Sequence, residues 1–126
     1  MIISKSILRQ YAYNAGFRGT HLDAAIAIAE CESGYNTNAH CLNCYGVAED
    51  SRGLWQINVN AHPQYKNVDL FDPQTNANAA FQVYLESGSD FSPWTCAHKL
   101  GLVNPPQKKS NYLFAFVIFI ALYLHQ

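Results

Sequence analysis

Two glutamates, Glu30 and Glu32, stand on either side of a cysteine just ahead of Ser33-Gly34. Two positions along a helix mean about 200° of rotation, so only one of them can face a given cleft while the other is ordinary surface. The stretch before them, Leu22 to Ala29, is an almost unbroken run of small and branched apolar residues, which is the pattern of a buried helix. Glu32 follows Ile28 and Ala29 at i−4 and i−3, at the end where the helix dipole disfavours an anion. Partial burial and the dipole both raise a carboxyl pKa. A carboxyl protonated near neutral pH is a general acid that can give a proton to a leaving-group oxygen. The plainer alternative is that Glu32 caps its own loop by accepting backbone N–H bonds. His62, beside Pro63, also has acid/base or ligand chemistry, but no second His or Cys lies at metal spacing from it. It reads as structural or as a rim contact.

Four cysteines, Cys31, Cys41, Cys44 and Cys96, allow three disulfide pairings, and Cys41-x-x-Cys44 could also form half of a zinc site. The N-terminus carries Lys5 and Arg9 where an export signal needs an uninterrupted apolar stretch, so no cleavable signal is evident. The default expectation is therefore reduced structural thiols, with disulfides second and zinc last. No metal and no cofactor is expected.

These residues need elements to hold them. Leu8, Tyr11, Ala12 and Ala15 recur at helical spacing before Gly16, giving a short amphipathic helix with a glycine stop. Thr20-His-Leu-Asp23 has the spacing of a capping box for the buried helix, which Ser33-Gly34 ends. Between Gly34 and Tyr65 the composition turns to Asn, Gly, His and Cys, with one apolar patch, Leu54-Trp55-Gln56-Ile57, that suits a strand or a helical turn. Asp72-Pro73 predicts an N-cap and first helical position, followed by Ala77, Ala80, Phe81, Tyr84 and Leu85 on one face as far as Gly88.

The chain has 126 residues, 49% hydrophobic and only 13% charged, with a net charge of −1. That length excludes a TIM barrel or a two-domain dinucleotide enzyme. The charge supplies no field for gathering phosphates, which argues against a nucleic-acid partner. The low charge has a local source, the thirteen uncharged residues 112–124, bounded by Tyr112 and Tyr123 and following Lys108 and Lys109. As a helix this run is about 20 Å long, short for a roughly 30 Å hydrocarbon core. It reads as a membrane-inserted tail or as a buried C-terminal helix or strand. The expected organisation is a domain over 1–100, a linker over 101–111 and a hydrophobic tail over 112–126, with a membrane contact through 112–124.

Three segments then point to a family: Ala25-Ile-Ala-Ile-Ala-Glu-Cys-Glu-Ser-Gly-Tyr-Asn36, Ser51-Arg-Gly-Leu-Trp-Gln-Ile-Asn58, and Asp72-Pro-Gln-Thr-Asn-Ala-Asn-Ala-Ala-Phe-Gln-Val-Tyr-Leu85. In order and spacing they resemble the soluble lytic transglycosylase family of the lysozyme-like superfamily. The resemblance covers roughly residues 7 to 97. Tyr11 to Arg18 and Phe91-Ser-Pro-Trp94 look like the version found in phage and actinobacterial cell-wall enzymes. The fold this implies is mainly α, an α+β lysozyme-like domain with a loop-rich lobe.

The resemblance makes Glu32 the single acid/base that cleaves the β-1,4 bond between N-acetylmuramic acid and N-acetylglucosamine in peptidoglycan glycan strands, forming a 1,6-anhydro product. Ser33, Gln56 and Tyr84 correspond to cleft positions, although Tyr84 also suits plain core packing. Asn58 stands where goose-type relatives carry an acid, so hydrolysis with water would require Asp50 or Glu49. Trp94 could wall a sugar site or pack the core. The small size and the lack of an evident export signal suggest a phage setting, either in the virion during entry or in the infected host at lysis, acting on the periplasmic wall. The rival outside enzymology is a wall-binding or virion structural protein with the same fold.

Overall fold

In a computed structural model of the chain, residues 1–106 are described. The expected tail at 112–124 lies outside them. The elements run α1 (Lys5–Ala15), α2 (Gly19–Ser33), β1 (His40–Leu42), β2 (Asp50–Arg52), β3 (Ile57–Asn58), α3 (Pro73–Glu86) and α4 (Thr95–Leu100). The domain is mainly helical with a loop-rich lobe, as expected, and that lobe also holds a small antiparallel sheet in the order β1-β2-β3, two strands of which fall where the sequence reads as loop. No helix among the described residues is long and apolar enough to cross a membrane.

Ser4 caps α1, its Oγ accepting from Ile7 N at 3.2 Å. Leu8 and Ala12 are buried. Gly16 stops the helix at φ +132°, and a Cβ there would lie 2.6 Å from the Phe81 ring. In α2 the capping box does not form. Asp23 pairs instead with Arg9 at 3.0 Å, and the Thr20 hydroxyl donates to Pro106 O at 2.8 Å. With both side chains engaged elsewhere, the helix begins at Gly19 without a side-chain cap. Its middle is buried on almost every side, from His21 to Ala29.

α3 starts as expected, with Asp72 accepting from Thr75 N at 2.9 Å and Pro73 in the first turn. It ends at Glu86, and Leu85 faces solvent rather than the core. Its inner face meets α1 and an aromatic cluster around Phe17, whose ring lies 5.0 Å from Phe81, 5.1 Å from Tyr84 and 5.8 Å from Phe91. Side chains of this size each remove on the order of 150–250 Å² from water, and this burial is the main stabilisation of the helical lobe.

Two features depart from expectation. The six-residue α4 has no amphipathic repeat to announce it and no side-chain cap at Trp94. Residues 101–106, expected to begin a linker, fold back on the domain. Val103 O accepts from Phe91 N at 2.7 Å, Leu102 N donates to Ala97 O at 2.8 Å, and Pro105 O lies 3.2 Å from His21 Nε2. Leu102 and Val103 pack on the core, so the segment is tied by burial as well as by hydrogen bonds.

Candidate active site

A groove of about 580 Å³ opens between the C-terminal end of α2, the sheet with its connecting loop, and α4. Glu32 and Ser33 come from α2, Glu49, Gln56 and Asn58 from the sheet lobe, and Trp94 and Lys99 from the start and body of α4. The two glutamates face different ways. Glu32 borders the groove and is half-buried, whereas Glu30 is exposed and accepts from the Tyr35 hydroxyl at 3.0 Å. Gly34, at φ +58°, turns the chain away immediately after the site. Burial is the largest influence on the Glu32 carboxyl and the nearby Glu49 charge is the second, together raising its pKa from 4.5 to about 7 against the opposing pull of Lys99.

Asn76 contributes three of the hydrogen bonds that fix the sheet lobe to the helices. Asn76 of α3 is fully buried, accepts from Trp55 N at 2.8 Å and donates through Nδ2 to Arg52 O and Leu70 O, each at 2.8 Å. Gly53 lies against this amide at φ +77°, and a Cβ there would come within 2.3 Å of Asn76 Nδ2 and 2.2 Å of Leu70 O. The Leu54 to Ile57 patch is therefore a tight turn, with Gln56 at φ +47° and only Ile57 entering a strand. Leu54 and Trp55 go to the core, while Gln56 goes to the groove.

The polar groups on the walls have divided roles. Gln56 Nε2 donates to Ala39 O and Gly53 O, both at 2.9 Å, so what it can offer a sugar is its amide oxygen. Asn58 is the complement. Its Oδ1 accepts from Asp50 N at 3.2 Å and Asn60 N at 3.1 Å, leaving its NH₂ as a donor. Ser33 gives its hydroxyl proton to Ala29 O at 2.9 Å and can only accept from a ligand. His62 lies on the groove margin.

Three expectations need correction. Tyr84 does not border the groove. It is buried among Phe17 and Phe91, with its hydroxyl bonded to His21 Nδ1, because its position on α3 faces the aromatic cluster. Asp50 does not border it either. It is held by Arg52 Nη2 at 2.7 Å and His40 Nε2 at 2.7 Å, and these bonds hold its carboxyl down at about 2. The second acid on the groove is Glu49, whose Oε1 accepts from Ser51 Oγ at 2.7 Å. Reversal of side chains along a strand decides between these adjacent residues.

The third correction concerns the cysteines. Cys31 is bonded to Cys96 and Cys41 to Cys44, so neither the reduced thiols nor the zinc alternative holds. Packing of α4 on α2 brings the Cys31 and Cys96 Cα atoms to 5.9 Å, within bridging range. Among the described residues no cluster of three or more His, Cys, Asp or Glu could hold a metal. All four cysteines border the groove. Trp94 also borders it, but it is only 4% exposed and donates through Nε1 to Trp55 O at 2.8 Å. Its main work is structural. Lys99 was missed because the short helix carrying it has no sequence signature.

A family model described as a lysozyme-like domain matches residues 9–96, which include Glu32, Glu49, Gln56 and Asn58. No curated protein and no solved structure matches the chain.

Proposed function

We propose, for a chain that belongs to the lysozyme-like domain family, that Glu32 cuts the β-1,4 bond after N-acetylmuramic acid by lytic transglycosylation. The family acts on peptidoglycan, as glycosidases or transglycosylases. The observation that carries the finer reading is Glu32 itself, a half-buried carboxyl on the groove with its pKa raised to about 7. Such a group can serve in both directions. As an acid it protonates the glycosidic oxygen while the bond from that oxygen to C1 of the muramic acid breaks. As the resulting carboxylate it takes the proton of the same sugar's 6-hydroxyl, whose oxygen forms the new bond to C1. A pKa near the working pH suits both steps, because neither protonation state is far from reach. Gln56, Ser33 and Asn58 supply acceptors and a donor for the acetamido and hydroxyl groups of the strand.

A second reading follows from Glu49. As a carboxylate on the same groove it could position a water, and the enzyme would then be a hydrolase. Products separate the two. Mass spectrometry of muropeptides released from purified peptidoglycan gives 1,6-anhydro ends for transglycosylation and reducing ends for hydrolysis. Glu49→Gln leaves turnover largely intact in the first case and abolishes it in the second. Binding without release would leave a non-catalytic wall-binding protein.

The setting we propose is a phage enzyme, carried in the virion or made in the infected host, that reaches the periplasmic wall and is held at a membrane by residues 112–124. It rests on the likeness of Tyr11–Arg18 and Phe91–Trp94 to phage and actinobacterial enzymes and on the uncharged run itself. The full chain should sediment with lipid vesicles and a chain ending at Pro106 should not. Equal sedimentation would remove the anchor from the reading.

A further inference from the structure

We infer that Tyr45, on the loop between β1 and β2 that borders the groove, is a stacking platform for a sugar ring of the glycan strand. The inference rests on the reading of the groove as a glycan site and adds a specificity-determining residue to it. Tyr45 is 96% exposed, the most exposed large hydrophobic side chain among the described residues, and it borders the same groove as Glu32. An aromatic ring left wholly in water gains nothing for the fold. Its backbone lies at φ +60°, and the preceding Asn43 lies at φ +52°. A tyrosine in the left-handed region costs about 1–2 kcal/mol relative to ordinary backbone.

The loop is tied at its base in three ways. Cys41 is bonded to Cys44, immediately before Tyr45. Asn43 N donates to Glu49 O at 2.8 Å, and Glu49 N donates to Asn43 Oδ1 at 3.3 Å. Register pairing of Leu42 with Asp50 closes the hairpin. Val47, 58% exposed, also borders the groove. Covalent and hydrogen-bonded ties therefore hold an unfavourable backbone that presents an aromatic face at the mouth of a polar groove. Hexopyranose rings present apolar C–H faces together with equatorial hydroxyls, and such a face stacks on an aromatic ring while the hydroxyls stay in water or meet the polar wall. The occupant is an N-acetylhexosamine ring of the same strand that Glu32 cuts.

The test uses Glu32→Gln protein, so that strands are bound without being cut, and glycan strands stripped of their peptides. Calorimetry on this background should show Kd raised about tenfold by Tyr45→Ala, equivalent to about 1.4 kcal/mol, and largely restored by Tyr45→Trp. In the otherwise native chain, Tyr45→Ala should raise KM on long strands with kcat held. Unchanged Kd in Tyr45→Ala, or loss in Tyr45→Trp equal to that in Tyr45→Ala, would overturn the platform. Because binding is read without turnover, failure of the platform is distinguishable from failure of the catalytic reading, which would show as absent cleavage by the native chain.

Discussion

Glu32 gains its chemistry from its surroundings rather than from its type. Glu30 lies two positions away with the same carboxyl, yet it is exposed and bonded to Tyr35. Glu32→Gln should lower glycan cleavage by about a thousandfold, within the range of general acid catalysis, while Glu30→Gln retains most of it; muropeptide release measures both. Equal losses would mean that the helix face was misassigned. The pH profile carries a sign. The acid function requires protonated Glu32, so activity falls as pH rises through about 7. Glu49 raises this pKa and Lys99 lowers it. Glu49→Gln should therefore move the alkaline limb to lower pH and Lys99→Met to higher pH, read from kcat/KM between pH 5 and 9. Helix rotation and the end of an apolar run, both local facts, made Glu32 a candidate beside the plainer loop-cap alternative, and the family resemblance of its Glu-Ser-Gly-Tyr segment chose it. The sequence did not separate Glu49 from Asp50, because which of two neighbours faces a groove depends on strand register and on the Arg52 and His40 partners that claim Asp50.

The elements meet through a few side chains whose loss should be felt at a distance. Asn76→Ala would leave the Trp55 N–H and the Arg52 and Leu70 carbonyls unpaired in or near the core. It should cost about 3 kcal/mol or more in urea unfolding and lower activity by releasing the turn that carries Gln56. The Cys31–Cys96 bridge spans a sequence separation of 65. Replacing both cysteines with Ala should destabilise the domain by about 2–4 kcal/mol through the freer unfolded chain. Long elements with a periodic or capped sequence were legible: α1, the body of α2, and α3 behind Asp72-Pro73. The capping box was not, since Asp23 and Thr20 found partners from α1 and from Pro106. Nor was α4, six residues long and held by its bridge and by Trp94 rather than by its own pattern.

The domain as a whole closes later than its composition suggests. Residues 102–106 return to α2, so a chain ending at Leu100 loses the packing of Leu102, Val103 and Pro105. Thermal or urea unfolding should find it about 2–4 kcal/mol less stable than a chain ending at Pro106, which keeps these contacts and the groove. Equal stability of the two would return 101–106 to the status of a linker. Trp55 and Trp94 are the chain's two tryptophans. The indole of Trp94 donates to the carbonyl of Trp55, whose own indole donates to Ala25 O at 3.0 Å, and only Trp94 touches the groove. The molecule thus contains its own fluorophore pair, one member screened and the other beside the ligand path. Their emission can be titrated with oligosaccharide and followed through denaturation in the same cuvette, with no label attached.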